Sequence, residues 1–133
     1  MRAGIFILLV LIAIGPLYAQ VSAQPSGLGP RERFSGVYFT NFENSRFTAC
    51  AGEACRHWTD LNGMTVTCAP AACKDLEHRI VMLNGSHDRW GEFAITFVGR
   101  RTVQRHQPRF LGDGDHDVRI ESIVRLTLIE GRQ

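Results

Sequence analysis

The residues best able to do chemistry begin with four cysteines, all lying between positions 50 and 73, as Cys50-Ala-Gly-Glu-Ala-Cys55 and Cys68-Ala-Pro-Ala-Ala-Cys73 with twelve residues between the two segments. In a short exported chain this pattern points to disulfides. The same spacing could close on a tetrahedral zinc, which an oxidising compartment disfavours. We therefore read Cys50, Cys55, Cys68 and Cys73 as two disulfides and expect no cofactor. Each short segment could close as a local loop. Alternatively, Asp60-Leu61-Asn62-Gly63 is a hairpin connection, and a register pairing Thr59 with Met64 would set Cys55 opposite Cys68 and Cys50 opposite Cys73. Loop entropy does not separate the two, at about 2 kcal/mol per local bridge against about 3 kcal/mol per nested one. The register favours nested cross-strand bridges, although the odd separation of Cys50 and Cys55 then demands a bulge.

A second group is basic. Arg100, Arg101, Arg105, His106 and Arg109 stand in a stretch with no acidic residue between Glu92 and Asp113. Guanidinium groups gathered on one loop can clamp a phosphate, sulfate or carboxylate, and Arg100, Arg101, Arg105 and Arg109 form the candidate ligand-binding set. The plainer alternative is a solvated loop whose charge is offset by the acidic run that follows. A formal net charge of +2 lacks the basic footprint of a nucleic-acid binder. The partners expected are an envelope protein or an anionic small molecule or glycan.

The third group is acidic and imidazole chemistry. Asp113-Gly-Asp-His-Asp117 places three carboxylates at alternate positions, a pattern that can wrap a hard cation. Val124 stands where a calcium loop would carry its twelfth-position glutamate, so a polar turn is the simpler reading. His57, His78, His87, His106 and His116, with Asp88 or Glu92, would supply base and acid to a small secreted hydrolase if two of them converged. They are scattered, and no G-x-S-x-G stands in the chain. The expectation is a non-catalytic module, with no catalytic or metal site. A third possibility is an inhibitor whose disulfide-held hairpin, carrying Arg56 and His57, enters a foreign enzyme's cleft.

The elements that must position these groups follow an N-terminal targeting segment. Arg2 precedes the apolar run Ile5–Ile14, Pro16 ends it, and Val21-Ser22-Ala23 offers small residues for cleavage before Gln24. The run is too short to span a bilayer, which needs about 20 apolar residues. Residues 1–23 are thus read as a signal peptide and the product as periplasmic or extracellular, with no stable membrane span. Residues 24–33, rich in Pro and Gly, read as a disordered lead-in, and 34–133 as one domain. With Arg2 set aside, 14 basic residues face 13 acidic ones, a balance that names no partner.

Within that domain, Phe34 to Ala49 reads as a long first strand interrupted at Glu43-Asn44-Ser45 by a bulge or bend. Arg56–Thr59 and Met64–Thr67 form the hairpin. Lys74–Leu83 fits either a helical face or a buried strand; we read a helical turn at 74–77 and a strand at 79–84. Phe93, Ile95 and Phe97 alternate along a strand at 91–98. Residues 100–117 form a long loop with a strand fragment at Phe110-Leu111. A last strand covers 118–129, its apolar face crossing over at one slip near Ser122-Ile123. Trp58 and Trp90 are expected in the core rather than as a stacking platform. The fold class is all-β: a small antiparallel OB-like barrel of five or six strands with at most one short helix.

Gly36-Val-Tyr, Phe42-Glu-Asn-Ser-Arg-Phe-Thr-Ala-Cys50, Trp58, a strand ending at Gly85, and Val118-Arg-Ile-Glu-Ser-Ile-Val-Arg-Leu126 together resemble a loose group of small exported bacterial proteins with an OB-like barrel. That group shares G-x-Y, then F-E-x-S-x-F-x-P-C, then one or two tryptophans. The chain is also similar to the OB-like C-terminal domain of an envelope-stress outer-membrane lipoprotein. The resemblance covers most of 34–129 and departs at Ala49, where the group tends to have Pro, in the extra cysteines, and in the 100–117 loop. It implies a fold and an envelope location, and brings no catalytic residues.

Overall fold

The computed structural model describes residues 27–41, 43–51, 55, 63–87, 89–109, 111 and 113–131. Outside these lie residues 1–26, which include the expected signal peptide, and also the expected hairpin connection with His57 and Trp58, and Asp88. The chain is organised as β1 (Glu32–Thr40), β2 (Ser45–Ala49), β3 (Met64–Cys68), α1 (Pro70–Asn84), β4 (Gly91–Arg101) and β5 (Asp117–Gly131). The strands close into a ring in the order β1-β2-β3-β5-β4, with β4 returning to β1. A small all-β fold carrying two disulfides is therefore what this sequence forms.

Several expectations are corrected. Order begins before Phe34: Leu28 bridges Thr102, and the Gly29 N–H donates to the Arg101 carbonyl at 2.7 Å. The break at 43–45 is a hairpin turn rather than a bulge in one strand. Asn41 makes it, since its side-chain oxygen accepts from the N–H of Glu43 (2.9 Å) and of Asn44 (2.7 Å), replacing backbone partners with its own amide. β2 then runs back along β1, with Gly36 opposite Ala49. At Gly36 a Cβ would collide with the Thr48 carbonyl oxygen, which is why the G-x-Y opening needs its glycine.

The ring is not wholly antiparallel, because β3 and β5 are parallel from Thr65–Asp117 to Cys68–Ile120. Parallel neighbours require a long crossover, and here α1 and β4 supply it. Its first part, α1, is one 15-residue helix where a helical turn at 74–77 and a strand at 79–84 were expected. Ala72, Leu76 and Ile80 recur at intervals of four and form its buried face, while Val81, Met82 and Leu83 remain partly or largely exposed. Pro70 opens the helix at a position where a missing N–H costs nothing, and Gly85 closes it with φ 74°, donating its N–H to Val81 at 2.8 Å.

The disulfides are local, Cys50–Cys55 and Cys68–Cys73, each with Cα atoms 5.4 Å apart. The nested pairing fails because Met64 pairs with Phe47 rather than Thr59. Its neighbour Thr65 is held on both sides, by Arg46 and by Asp117. Helix α1 starts two residues after Cys68, and its first turn carries Cys73 back over that cysteine.

Phe34, Phe47 and Phe97 fill the barrel, with Phe97 stacked on Phe34 at 5.1 Å and edge-on to Phe47 at 5.0 Å. Phe93 and Ile95 extend this core along the same face of β4, with Val118, Ile120 and Leu126 from β5. The apolar face of β5 crosses over through two extra residues, Glu121 and Val124, each skipped in the pairing with β4, and a third irregularity follows at Ile129. Trp90 is half-buried and meets Phe39 edge-on at 6.4 Å, outside the core cluster. Leu111, expected in a strand fragment, is fully exposed in a turn, and Phe110 lies outside the described residues.

Candidate functional site

The connection between β4 and β5 is long and almost without apolar anchors, so polar groups must hold it. Its two ends are tied first. The Thr102 N–H donates to the Asp117 carbonyl at 2.9 Å, and the Asp117 N–H donates to Thr102 Oγ1 at 3.0 Å. The His116 Nδ1 lies 3.2 Å from both the Thr102 carbonyl and its hydroxyl.

Arg109 organises the middle. Its Nε donates to Asp113 Oδ2 at 2.9 Å, one terminal nitrogen reaches Asp113 Oδ1 at 3.2 Å and Asp117 Oδ1 at 2.7 Å, and its backbone N–H also donates to Asp113 at 2.9 Å. Thr65 on β3 donates its hydroxyl to the same carboxylate and accepts the Gly114 N–H at 2.8 Å. The Asp113 side chain is fully buried. Hydrogen bonds from the Arg109 guanidinium hold its carboxyl well below the usual carboxylate range, and the same bonds raise the pKa of Arg109. The knot thus fastens the loop to β3 and β5 together.

The four candidate arginines consequently divide. Arg109 is committed to the knot. Arg100 donates to Glu121 at 2.9 Å and to the Gly29 carbonyl at 3.3 Å, pinning the chain's entry to β5. Arg101 and Arg105 are mostly exposed, making looser pairs with Glu32 at 3.6 Å and Asp115 at 3.3 Å. Both line a cleft of about 500 Å³ together with Arg46, Gly63, Met64 and His116. Arg46 was not among the candidates. It comes from β2, is buried, and donates to the Gly63 carbonyl at 3.2 Å. Its signal in the sequence was slight: a lone arginine between Ser45 and Phe47 in an otherwise aromatic and β-branched strand.

The acidic run turns its carboxylates inward to these cations. Asp113 serves Arg109, Asp115 serves Arg105, and Asp117 serves Arg109 and His106. Among the described residues no group of three His, Cys, Asp or Glu is placed to hold a metal ion. The histidines have separate partners: His106 faces Asp117 at 3.2 Å, His116 faces Thr102, and His87 lies 3.6 Å from Glu77. His78 is exposed on α1. Comparison with family models, with curated proteins and with solved structures returns no significant match.

Proposed function

We propose that this protein is a non-catalytic exported binding module that takes an anionic group, a carboxylate, sulfate or phosphate, in the cleft between the β4–β5 loop and the β2–β3 end of the barrel. The observation that carries the reading is convergence: Arg46 from β2 meets Arg101 and Arg105, from the end of β4 and the loop after it, at one cleft whose wall also carries Asp113 and Asp115. The exposed pairs of Arg101 and Arg105 are weak, since ion pairs in solvent contribute about 0–1 kcal/mol, so an incoming anion can replace Glu32 and Asp115 at little cost. Arg46 is held in place by its bond to the Gly63 carbonyl and lines the cleft. Export is supported by the two disulfides, which persist in oxidising compartments. No helix among the described residues is long and apolar enough to cross a membrane. An OB-like relationship is supported by the five-strand ring, the parallel β3–β5 pair and the helix between β3 and β4. Barrels of that kind often bind ligands through their β1–β2 and β4–β5 loops, which is analogy and no more.

Isothermal titration with inorganic phosphate, a sulfated disaccharide and triglutamate tests the reading. At least one should bind, with affinity falling as salt rises, and the double variant Arg101→Ala/Arg105→Ala should weaken it about tenfold or more, as expected for loss of charge-assisted contacts. No binding by any of the three, or binding that the double variant leaves unchanged, removes the cleft as an anion site.

A further inference from the structure

A second cleft lies elsewhere on the barrel. Among the described residues β2 and β3 pair through Arg46–Thr65 and Phe47–Met64, and the seam between them opens beyond Thr65. There, between α1 and the β1–β2 turn, is a space of about 360 Å³ lined by Tyr38, Thr40, Ser45, Leu76, Glu77 and Ile80, with the Cys68–Cys73 bridge and His87 also on its wall.

Three hydroxyls and one carboxylate set the polar character of this cleft. The Tyr38 phenol donates to Ser45 Oγ at 3.0 Å, and the Thr40 hydroxyl donates to the Asn41 carbonyl at 3.3 Å. Ser45 and Thr40 lie 3.2 Å apart. With the Thr40 proton on the Asn41 carbonyl, Ser45 is the donor between the two hydroxyls. In that arrangement the three hydroxyl protons are shared within the cluster, and each oxygen keeps a lone pair. The Asn41 side-chain oxygen accepts from two backbone N–H groups, so the side-chain donors on the wall besides the hydroxyls are its amide nitrogen and the His87 ring. Burial raises the Tyr38 phenol's pKa and keeps it a neutral donor to Ser45. Glu77 places a carboxylate on the same wall, its side chain 59% exposed and 3.6 Å from His87. Leu76 and Ile80 supply apolar surface beside it.

We propose that this cleft binds a primary ammonium on a short alkyl chain, from a free alkylamine or from the lysine side chain of a partner protein. The ammonium's three donors suit the lone pairs of the hydroxyl floor and the Glu77 carboxylate, and the methylenes suit Leu76 and Ile80. A compact tripod of donors fits these oxygens better than the planar fork of a guanidinium. A carboxylate or phosphate is opposed by the charge of Glu77.

The test uses the disulfide-intact protein and follows backbone amide shifts by NMR. The probes are n-pentylamine, Nα-acetyl-lysine amide, and pentanoate as the anionic match in length. Both amines should give saturable shifts at Tyr38, Ser45 and Glu77. Shifts with both admit a lysine side chain, and shifts with pentylamine alone confine the site to free amines. Glu77→Gln, a change on the exposed helix surface, should weaken binding at least fivefold without altering the rest of the spectrum. Ser45→Ala should weaken it by a smaller factor. Absence of saturable shifts with either amine, equal binding of pentanoate, or amine shifts that Glu77→Gln leaves unchanged would overturn the proposal.

Discussion

Arg109 and the pair Arg101 and Arg105 are the same residue type within nine positions of chain, yet they stand in opposite situations. The guanidinium of Arg109 is about half exposed, but the carboxylate it grips is wholly buried and also bonded by Thr65 and a backbone N–H. Arg101 and Arg105 face carboxylates that are themselves about half exposed. What separates a structural arginine from an available one here is thus the burial of its partner. A desolvated carboxylate has no water to return to, so its bonds are kept, whereas solvated pairs exchange freely. One loop therefore holds its own shape and still presents charge.

The sharpest way to break that contrast is to remove the buried carboxylate. Asp113→Ala should cost about 2 kcal/mol through lost charge-assisted hydrogen bonds, a fall in Tm of roughly 10 °C for a domain of this size. Calorimetry at neutral pH measures it. The sign with pH is fixed, because the folded pKa of Asp113 lies below its unfolded value of about 3.9. The stability it contributes is present above that value and is lost as pH falls through the folded one. Parent and variant should therefore converge in strong acid. Equal melting at pH 7 would place Asp113 among the dispensable surface charges.

Removing the exposed arginines should do far less to the fold. Arg101→Ala/Arg105→Ala is expected to shift stability by less than about 0.5 kcal/mol, measured by urea unfolding. A loss comparable to that of Asp113→Ala would show that these arginines are structural too, and the comparison would collapse.

Parts of this arrangement were legible in the chain and parts were not. Phe93, Ile95 and Phe97 announce β4 by strict alternation, and the changed parity around Ser122 marks the bulged crossing of β5. The helix was obscured because its buried stripe begins at Ala72, inside the cysteine pair, and because Ile80-Val81-Met82-Leu83 looks like a buried strand although only Ile80 is buried. The disulfide pairing misled because the matching register assumed a partner for Met64 that β2 occupies. Arg101 and Arg105 could be found from their charge run. Arg46 could not, since only closure of the ring brings β2 to the loop between β4 and β5. Nor could the hydroxyls of Tyr38, Thr40 and Ser45 be grouped before the turn at Asn41 was known.

The smallest expected effect concerns His106, which belongs to the knot but is reached by solvent. Its Nδ1 lies 3.0 Å from the Gln107 carbonyl and its Nε2 lies 3.2 Å from Asp117 Oδ1. Both ring nitrogens face acceptors, and only the imidazolium donates from both at once. The bond to Gln107, with help from Asp117, accordingly raises the pKa of His106 above the ordinary value of about 6.5. Because the folded value is the higher one, its contribution is full below the unfolded pKa and is lost as pH rises through the folded pKa. An NMR titration of the ring proton on Cε1 should give a midpoint above that of free imidazole side chains, and Asp117→Asn should lower it. As His106 loses its proton, the Arg109 contacts with Asp113 should persist, since they involve no group that titrates near neutrality. Amide shifts of Arg109 and Gly114 that follow the His106 midpoint with large amplitude would show instead that the imidazolium, and not the buried carboxylate, holds the loop.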